Sequence, residues 1–336
     1  MTKYYRKKQE KTVAEIVSGI KESDRVVLAQ AITLVESNAH RHFKQAQEVI
    51  EAVMPFQKPS IRIGITGVPG AGKSTFIDTF GTYLCDLGHR VAVLAVDPSS
   101  QVSKGSILGD KTRMERLSIN PRAFIRPSPA SGTLGGVNRK TRESIILCEA
   151  AGFDIILVET VGVGQGEFVV RSMVDFFLLL VLTGAGDELQ TMKKGIMELP
   201  DLVVVNKADG DNLSKAKKAM QEYNTILHFL KPYTDGWTTK AVTASSLKEI
   251  GIKEISHEID DFIRVTQETK QFEQRRMAQQ KDWHESLLKE MIYDMFYQHP
   301  IIKEKIPQYE SDVLNGKKSV SGSAMELVQL FKDKHL

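Results

Sequence analysis

The sequence has few cysteines and no long apolar run. Its two cysteines, Cys85 and Cys148, cannot build a disulfide framework and form no pattern of paired metal ligands, which indicates a reducing compartment. The longest apolar run, 176–182, has seven residues, whereas a helix that crosses a membrane needs about twenty. The basic residues within 3–11 are not followed by an apolar stretch, as they would be in a secretory signal. We therefore expect a cytoplasmic protein that contacts no membrane.

The sequence also lacks a large excess of either charge. Lys and Arg number 45 against 42 Asp and Glu, so the net charge is only +3. Proteins dedicated to nucleic acid carry a strong basic excess, and we expect no nucleic-acid partner. Hydrophobic residues make up 41% and charged residues 26%, which is ordinary for a globular protein and excludes a disordered or collagen-like chain. A length of 336 residues suits one large α/β domain with appendages, or two domains.

Three different hydrophobic patterns follow one another along the chain. Apolar residues recur at helical spacing over 12–54, and β-rich runs then alternate with helix-length segments, which is typical of a parallel sheet covered on both faces. The pattern of β-rich runs ends near residue 264, and 265–299 is predicted to form one long helix. We predict an N-terminal helical extension over 1–58, a central α/β domain over 59–264 and a C-terminal helical arm over 265–336. The predicted strands are 61–66, 91–96, 124–126, 155–158, 176–182, 202–205 and 241–243.

The clearest motif is a glycine-rich loop between the first strand and the next helix. Residues 67–74 read G-V-P-G-A-G-K-S and match the phosphate-binding pattern G-x-x-x-x-G-K-[S/T]. Glycines let backbone N–H groups point at phosphate oxygens, and the helix adds its positive end. Lys73 is predicted to reach the β- and γ-phosphates and the Ser74 hydroxyl to ligate Mg²⁺. A chance glycine turn is the alternative. The predicted nucleotide-binding residues here are Gly67, Pro69, Gly70, Ala71, Gly72, Lys73, Ser74 and Thr75.

A second motif indicates which base is bound. Residues 206–209 read N-K-A-D and directly follow the sixth predicted strand. The Asp209 carboxylate can accept hydrogen bonds from the ring N–H and the amine of guanine, and adenine offers neither donor there. We predict that Asn206 supports the loop and that the Lys207 stem lies over the base; a helix cap is the alternative role. Ser245, after the seventh strand, is predicted to close over the base, with an ordinary turn as the alternative.

Acidic residues follow two of the predicted strands. Asp97 comes after the second strand and Glu159 after the fourth, and we expect the two to lie at adjacent strand ends, where α/β proteins bind ligands. Both are candidates to hold Mg²⁺, directly or through water. Gly162, in the sequence E-T-V-G, is a candidate sensor of the γ-phosphate. A helix N-cap is the alternative role for either acid.

Three polar, glycine-spaced segments are predicted to be switch loops. They cover 99–113, 162–167 and 184–194. Asp110 is the candidate to position the attacking water, and Gln165 is a second candidate. A surface loop without a nucleotide role is the alternative.

Together these motifs resemble the MeaB/ArgK family of GTPases. The resemblance is carried by the phosphate loop, the N-K-A-D tetrad and four further stretches: V-D-P-S-S at 96–100, G-S-I-L-G-D-K-T-R-M at 105–114, E-T-V-G-V-G-Q at 159–165 and G-D-E-L-Q at 186–190. It implies a P-loop GTPase fold of the SIMIBI class with helical extensions at both ends. It also implies GTP or GDP and Mg²⁺ as ligands and a homodimer formed by the C-terminal arm.

The resemblance further implies a partner and a set of site residues. The partner is an adenosylcobalamin-dependent methylmalonyl-CoA mutase, which the protein assists as a chaperone in cofactor loading and protection. The matching positions assign Lys73 and Ser74 to phosphate and metal, Asp97, Asp110 and Glu159 to metal and hydrolysis, and Asn206 and Asp209 to guanine.

Three other functions remain open on the sequence. A GTPase metallochaperone would call for a His-rich or paired-Cys tract, which the sequence does not contain. A nucleotide-dependent kinase of transport-system binding proteins would use ATP, which the N-K-A-D tetrad disfavours. A scaffold that holds GDP without hydrolysis would be separated by measured turnover.

Overall fold

The computed structural model describes residues 11–37, 39–96, 114–127, 134–160, 166–183 and 195–333. Within them lies one seven-stranded sheet in the order β3-β2-β4-β1-β5-β6-β7, and every neighbouring pair is parallel. All seven predicted strands are confirmed, with ends that differ by two residues at most. The strands are β1 Ile61–Gly67, β2 Val91–Val96, β3 Ala123–Pro127, β4 Ile155–Thr160, β5 Phe176–Val181, β6 Leu202–Val205 and β7 Lys240–Thr243.

Helices cover both faces of this sheet. In chain order they are α1 Val13–Lys21, α2 Arg25–Glu36, α3 His40–Val53, α4 Lys73–Asp86, α5 Glu115–Ile119, α6 Leu134–Ala150, α7 Gly166–Arg171, α8 Leu213–Phe229, α9 Ile252–Glu268, α10 Gln271–Tyr297, α11 Pro300–Leu314 and α12 Val320–Asp333. None of the described helices is both long and apolar enough to span a bilayer.

Burial on both faces explains why the central strands are apolar at every position. In β2, Val91 and Val93 join the core under α4 and α9, whereas Ala92 and Leu94 join the core under α6 and the N-terminal helices. A parallel strand between two helical layers has no solvent face, so it shows no polar alternation. The continuous apolar pattern therefore predicted these strands correctly.

The order of the strands places a crevice at one end of β1. The chain runs from β1 out to β2 and β3, returns to β4 beside β1, and then crosses to β5 on the other side. Loops that leave β1 and its two neighbours therefore diverge at the carboxyl edge, which is where open α/β sheets bind their ligands.

The N-terminal segment predicted as helical forms three helices that pack on α6. A capping box at Thr12 and Glu15 begins α1, and Asp24 caps α2 by accepting from the amides of Val26 and Val27. Between these two helices Ser23 takes a left-handed conformation, with φ of 63°. The apolar faces of these helices share the α6 core on one side of the sheet.

The prediction of a single helix over 265–299 is wrong at its start. The helix α9 continues to Glu268, Lys270 is left-handed with φ of 60°, and α10 begins at Gln271. No Gly, Asn or Pro marks this break in the sequence, and the helical spacing of apolar residues therefore predicted one continuous helix. The chain divides into two compact units, Met1–Gln279 and Gln280–Leu336. The three-part division at 58 and 264 stays a prediction.

Candidate functional site

The glycine-rich loop joins the end of β1 to the start of α4. Gly70 and Gly72 are both left-handed, with φ of 82° and 87°, a conformation that costs other residues about 1–2 kcal/mol. A methyl group added at Gly72 would also lie 2.9 Å from Nδ2 of Asn206, whereas one added at Gly70 meets no heavy atom within 4 Å. Of these two glycines, Gly72 is required both by its conformation and by a neighbouring side chain, and Gly70 by its conformation alone.

The amine of Lys73 points back into this loop. Its Nζ donates a hydrogen bond to the carbonyl oxygen of Gly67 at 2.8 Å. Burial lowers the pKa of Lys73, and the carboxylates of Glu159 and Glu167 oppose that effect. The Lys73 amine is therefore partly buried and is influenced by the negative charges of Glu159 and Glu167.

Asn206, the first residue of the N-K-A-D tetrad, joins three segments. It follows β6 and is 1% exposed. Its Nδ2 donates to the carbonyl of Ala71 at 2.8 Å, and its Oδ1 accepts from the amide and hydroxyl of Ser246 at 3.2 and 2.9 Å. The amide therefore bonds through both its nitrogen and its oxygen, and it connects the phosphate loop to the segment after β7.

Asp209 lies beside Ser245, the residue predicted to close over the base. The Ser245 hydroxyl donates to Oδ2 of Asp209, and Ser245 itself is completely buried. An antiparallel bridge to Ile250 holds its backbone, with N···O distances of 3.0 and 3.1 Å. Lys207, between Asn206 and Asp209, is left-handed with φ of 58°. The turn after β6 thus presents its carboxylate against the turn after β7.

A cavity of about 250 Å³ lies where these segments meet. Its lining brings together the end of the phosphate loop, the tetrad and the segment after β7: Gly72, Thr75, Asn206, Lys207, Asp209, Ser245, Ser246 and Leu247. Sequence reasoning named the first six of these and missed Ser246 and Leu247. Their position directly after Ser245 was the only available signal.

Two of the predicted metal-site residues lie in described segments. Glu159 is inside β4, buried and paired in register with Ile65 of β1, and Ser74 is partly exposed in the first turn of α4. The next residue of β4, Thr160, donates from its hydroxyl to Thr66 Oγ1 at 2.7 Å, which ties the ends of the two strands together. The strands that lead to Asp97 and Glu159 are neighbours, as predicted. Asp97, Asp110, Gly162 and Gln165 lie outside the described residues.

Comparison with known proteins identifies the family. A model described as "Methylmalonyl Co-A mutase-associated GTPase MeaB" matches residues 28–300. The chain belongs to this family.

Curated relatives of this MeaB-family protein match along most of its length. It is 49% identical over 308 residues to a protein named "Putative GTPase" from Caulobacter vibrioides, which covers 92% of this chain and 94% of the relative. It is 45% identical over 305 residues to GTPase ArgK of Escherichia coli, with coverage of 88% and 92%. It is also 45% identical over 338 residues to a mouse protein named "Methylmalonic aciduria type A homolog, mitochondrial", with coverage of 98% and 81%.

A solved structure agrees with these relatives. A crystal structure of an LAO/AO transport system kinase is 36% identical and superposes with a TM-score of 0.76, covering 95% of this chain and 97% of the other. The P-loop GTPase fold predicted for this MeaB-family protein is therefore confirmed.

Proposed function

We propose that the protein binds GTP with Mg²⁺ at this site, hydrolyses it slowly, and uses the cycle as a chaperone of an adenosylcobalamin-dependent methylmalonyl-CoA mutase. In this proposal it assists cofactor loading and protects the mutase from inactivation. The observation that carries the nucleotide assignment is the cavity in which Asp209 meets Gly72 and Thr75. The residues that recognise the base and the loop that binds the phosphates can bind the same nucleotide only if they line the same cavity.

Guanine selection follows from the chemistry of the Asp209 carboxylate. Its Oδ2 accepts the Ser245 hydroxyl, and the remaining lone pairs are available to the ring N–H and the amine of guanine. Adenine would leave these acceptors unpaired, which costs about 1–3 kcal/mol for a buried group. The Lys207 stem and Leu247 line the same cavity and would cover the base.

The phosphate end rests on the glycine-rich loop and on Lys73. In the proposed complex, the Lys73 amine leaves the Gly67 carbonyl and donates to phosphate oxygens, while the backbone amides at the start of α4 face the same charge. This exchange replaces a neutral acceptor with an anionic one, and charge-assisted hydrogen bonds are about twice as strong.

The residues present fit a magnesium ion. Mg²⁺ prefers oxygen ligands. The partly exposed Ser74 hydroxyl lies in the first turn after the phosphate loop, and the Glu159 carboxylate acts electrostatically on Lys73 of that loop. We propose that these two residues hold the ion together with Asp97, and that Asp110 positions the attacking water and Gly162 senses the γ-phosphate. A bound Mg²⁺ would neutralise charge on the phosphate oxygens.

The mutase assignment is supported by the family description and by the name of the mouse relative. One exposed aromatic residue suits a partner contact. Phe168 of α7 is 57% exposed, and its ring lies 3.9 Å from the position of a methyl group added at Gly195, which directly follows the predicted third switch loop. We propose that the mutase contacts α7 and this loop through Phe168, because aromatic side chains contribute strongly to binding when an interface buries them.

A homodimer formed by the C-terminal arm is also proposed. The unit Gln280–Leu336 exposes many apolar side chains, which is unusual for a surface in contact only with water. They include Leu288, Met291, Ile292, Met295, Leu314, Val320, Met325 and Val328. We also propose that the protein works in the cytoplasm.

Competition binding tests the nucleotide assignment. GDP or GTP should displace a fluorescent guanine nucleotide, and ATP should fail to do so at the same concentration. The Asp209→Asn variant should lose guanine preference and gain xanthine nucleotides, since the new amide donates to the 2-carbonyl of xanthine. Preference for ATP in the wild-type protein would refute the assignment.

A further inference from the structure

Helix α7 lies across the strand that ends in the phosphate loop. It begins at Gly166, so the last two residues of the predicted second switch loop, 162–167, are helical. Val170 of α7 packs against Gly64 of β1. A methyl group added at Gly64 would lie only 3.0 Å from Cγ1 of Val170. The helix and the strand are therefore close enough that neither shifts without changing this contact.

The first turn of α7 carries a buried carboxylate near the phosphate loop. Glu167 has no solvent exposure, and its negative charge raises the pKa of Lys73 against the effect of burial. A γ-phosphate bound at Lys73 adds negative charge beside this carboxylate, and GDP does not. A bound γ-phosphate would therefore act on this end of α7, whose Val170 contacts β1, in a way that GDP would not.

The last residue of α7, Arg171, lies in a buried polar cluster. Its Nη2 donates to Oδ1 of Asp201 at 3.1 Å, and its guanidinium lies 4.1 Å from the ring centre of Tyr233. The Thr234 hydroxyl donates to the same Asp201 oxygen at 2.6 Å and accepts from Arg275 of α10. Nη2 of Arg171 also lies 3.4 Å from the Thr234 hydroxyl oxygen, and Nη1 of Arg275 lies 4.0 Å from Oδ2 of Asp201, so the two arginines share one carboxylate and one hydroxyl.

The hydrogen bonding of Arg171 is incomplete in this arrangement. Its Nε and Nη1 are buried and have no hydrogen-bond partner among the residues that the structure describes. A buried charged donor without a partner costs on the order of 1–3 kcal/mol. The Nη2 group, by contrast, is in an ion pair with Asp201 in which both side chains are only 1% exposed, so movement of this end of α7 must either break a buried ion pair or displace Asp201 with it.

The segment directly after α7 holds the first turns of α10. Asp175 is completely buried and accepts two hydrogen bonds from the Arg276 guanidinium, at 2.8 and 2.6 Å. Gln279 donates from Nε2 to the carbonyl of Val174 at 2.8 Å. Together with Arg275, these contacts fasten α10 to residues 171–175.

We infer that α7 links the nucleotide site to α10, with Glu167 and Arg171 as positioning residues at its two ends. When α7 moves between the GDP and GTP states, the contacts that residues 171–175 make with Arg275, Arg276 and Gln279 change. The nucleotide state thereby reaches the helix that continues into the C-terminal unit. This inference rests on the proposed GTPase function.

Hydrogen exchange of the full chain, with GDP or with a non-hydrolysable GTP analogue, tests the link. Amides of residues 271–283 should exchange at rates that differ about fivefold or more between the two states. Arg275→Gln and the isosteric Thr234→Val should each reduce this difference to about twofold or less. Both variants should keep the wild-type affinity for GDP. The matched control is Arg264→Gln on α9, which removes only an exposed ion pair with Asp261 and Glu268.

The outcomes separate the link from the proposed function. Protection of residues 67–74 by nucleotide, with no state dependence in 271–283, would overturn the link alone. A state dependence that persists in both cluster variants would also overturn it. If neither nucleotide protects 67–74, the nucleotide assignment fails and the link fails with it. If Arg275→Gln does not fold, Thr234→Val still tests the link, because valine has nearly the same volume as threonine.

Discussion

The hydroxyl of Ser245 donates a hydrogen bond to Oδ2 of Asp209 at the wall of the cavity. The amide of Lys248 donates to the same hydroxyl oxygen at 3.2 Å, which directs the Ser245 proton toward the carboxylate. Asp209 is thus held in place before any ligand binds. A reader that is already oriented loses less side-chain entropy on binding.

Removal of this hydroxyl should weaken guanine binding. We expect Ser245→Ala to lower the affinity for both GDP and GTP about tenfold, which corresponds to about 1.4 kcal/mol for a hydrogen bond to a charged group. Titration with a fluorescent guanine nucleotide measures the change. Thr225→Ala, on the exposed surface of α8, is the matched control and should bind as wild type. Unchanged affinity in Ser245→Ala would show that Asp209 needs no support from it.

Two glycines of the phosphate loop should respond differently to the same substitution. Gly70→Ala meets open space and should cost only the left-handed conformation, about 1–2 kcal/mol. Gly72→Ala adds a methyl group 2.9 Å from Nδ2 of Asn206, so it must also displace that side chain. We expect a loss of GDP affinity at least about tenfold larger for Gly72→Ala than for Gly70→Ala. Equal losses in the two variants would mean that the Asn206 contact does not matter.

Asn206→Asp should damage the site through its contact with Ala71. The new carboxylate can still accept from Ser246 but cannot donate to the Ala71 carbonyl, so two acceptors face each other in a buried place. We expect a free energy of unfolding lower by about 2 kcal/mol and a clear loss of GDP affinity. The matched control is Asn224→Asp, because Asn224 makes a similar pair of contacts with the backbone of Ala241.

That control separates the two effects. Asn224→Asp should lose stability and keep its nucleotide affinity, as judged by thermal melts and titration of the same samples. If both variants lose affinity in parallel, general destabilisation accounts for the effect of Asn206→Asp.

Glu143 makes stability depend on pH. It is buried on α6 and accepts from Nε2 of Gln47 at 2.9 Å; burial raises the pKa of Glu143, and Gln47, Arg139 and Lys140 oppose this only in part. The folded state therefore keeps a proton that the unfolded state has already released. Stability falls as the pH rises from the ordinary range of a glutamate through this raised pKa.

Glu143→Gln should remove that loss. We expect the variant to melt at a higher temperature than wild type at pH 8, by about 1 kcal/mol of unfolding free energy, with the gain shrinking as the pH is lowered toward 4.5. Glu48→Gln, on the exposed side of α3, controls for a general change of charge. A gain that is the same at every pH would contradict this account.

Phe168 should matter for the partner and not for the nucleotide. We expect Phe168→Ser to keep its GDP affinity and to weaken binding to a methylmalonyl-CoA mutase by about tenfold, as is common for a buried aromatic interface residue. Phe229→Ser is the control, because Phe229 is 81% exposed at the end of α8 and follows none of the predicted switch loops. Equal effects of the two substitutions on mutase binding would remove Phe168 from the interface.

The sequence predicted the sheet and the anchors of the site because both depend on local patterns. Apolar runs such as 202–205 need only their own residues to be recognised, and the loop at 67–74 and the tetrad at 206–209 keep fixed internal spacing. They meet in one cavity because the strands are parallel, so that the loops after them leave from one edge of the sheet; the pattern predicted the parallel sheet but not the order of its strands. Both kinds of pattern can be read from residues that are neighbours in the sequence: the apolar runs indicate buried strands, and the fixed spacing of each motif indicates the conformation of its loop.

Contacts between distant side chains were not predictable in this way. The bonds from Asn206 to Ala71 and from Arg171 to Asp201 join residues far apart in the chain, and no periodicity marks them. The break at Lys270 was missed for a related reason, since a left-handed lysine has no sequence signature. A buried polar partner becomes visible only when the packing of the elements is known.

The most direct test of the central claim is GTP hydrolysis by the purified protein, alone and with a methylmalonyl-CoA mutase from the same cell. We predict slow turnover alone and marked acceleration by the mutase. In Asp209→Asn, acceleration should disappear with GTP and return with xanthosine triphosphate. If the mutase binds yet leaves GTP turnover unchanged, or if ATP is hydrolysed in preference to GTP, the account of a mutase-coupled GTPase is contradicted.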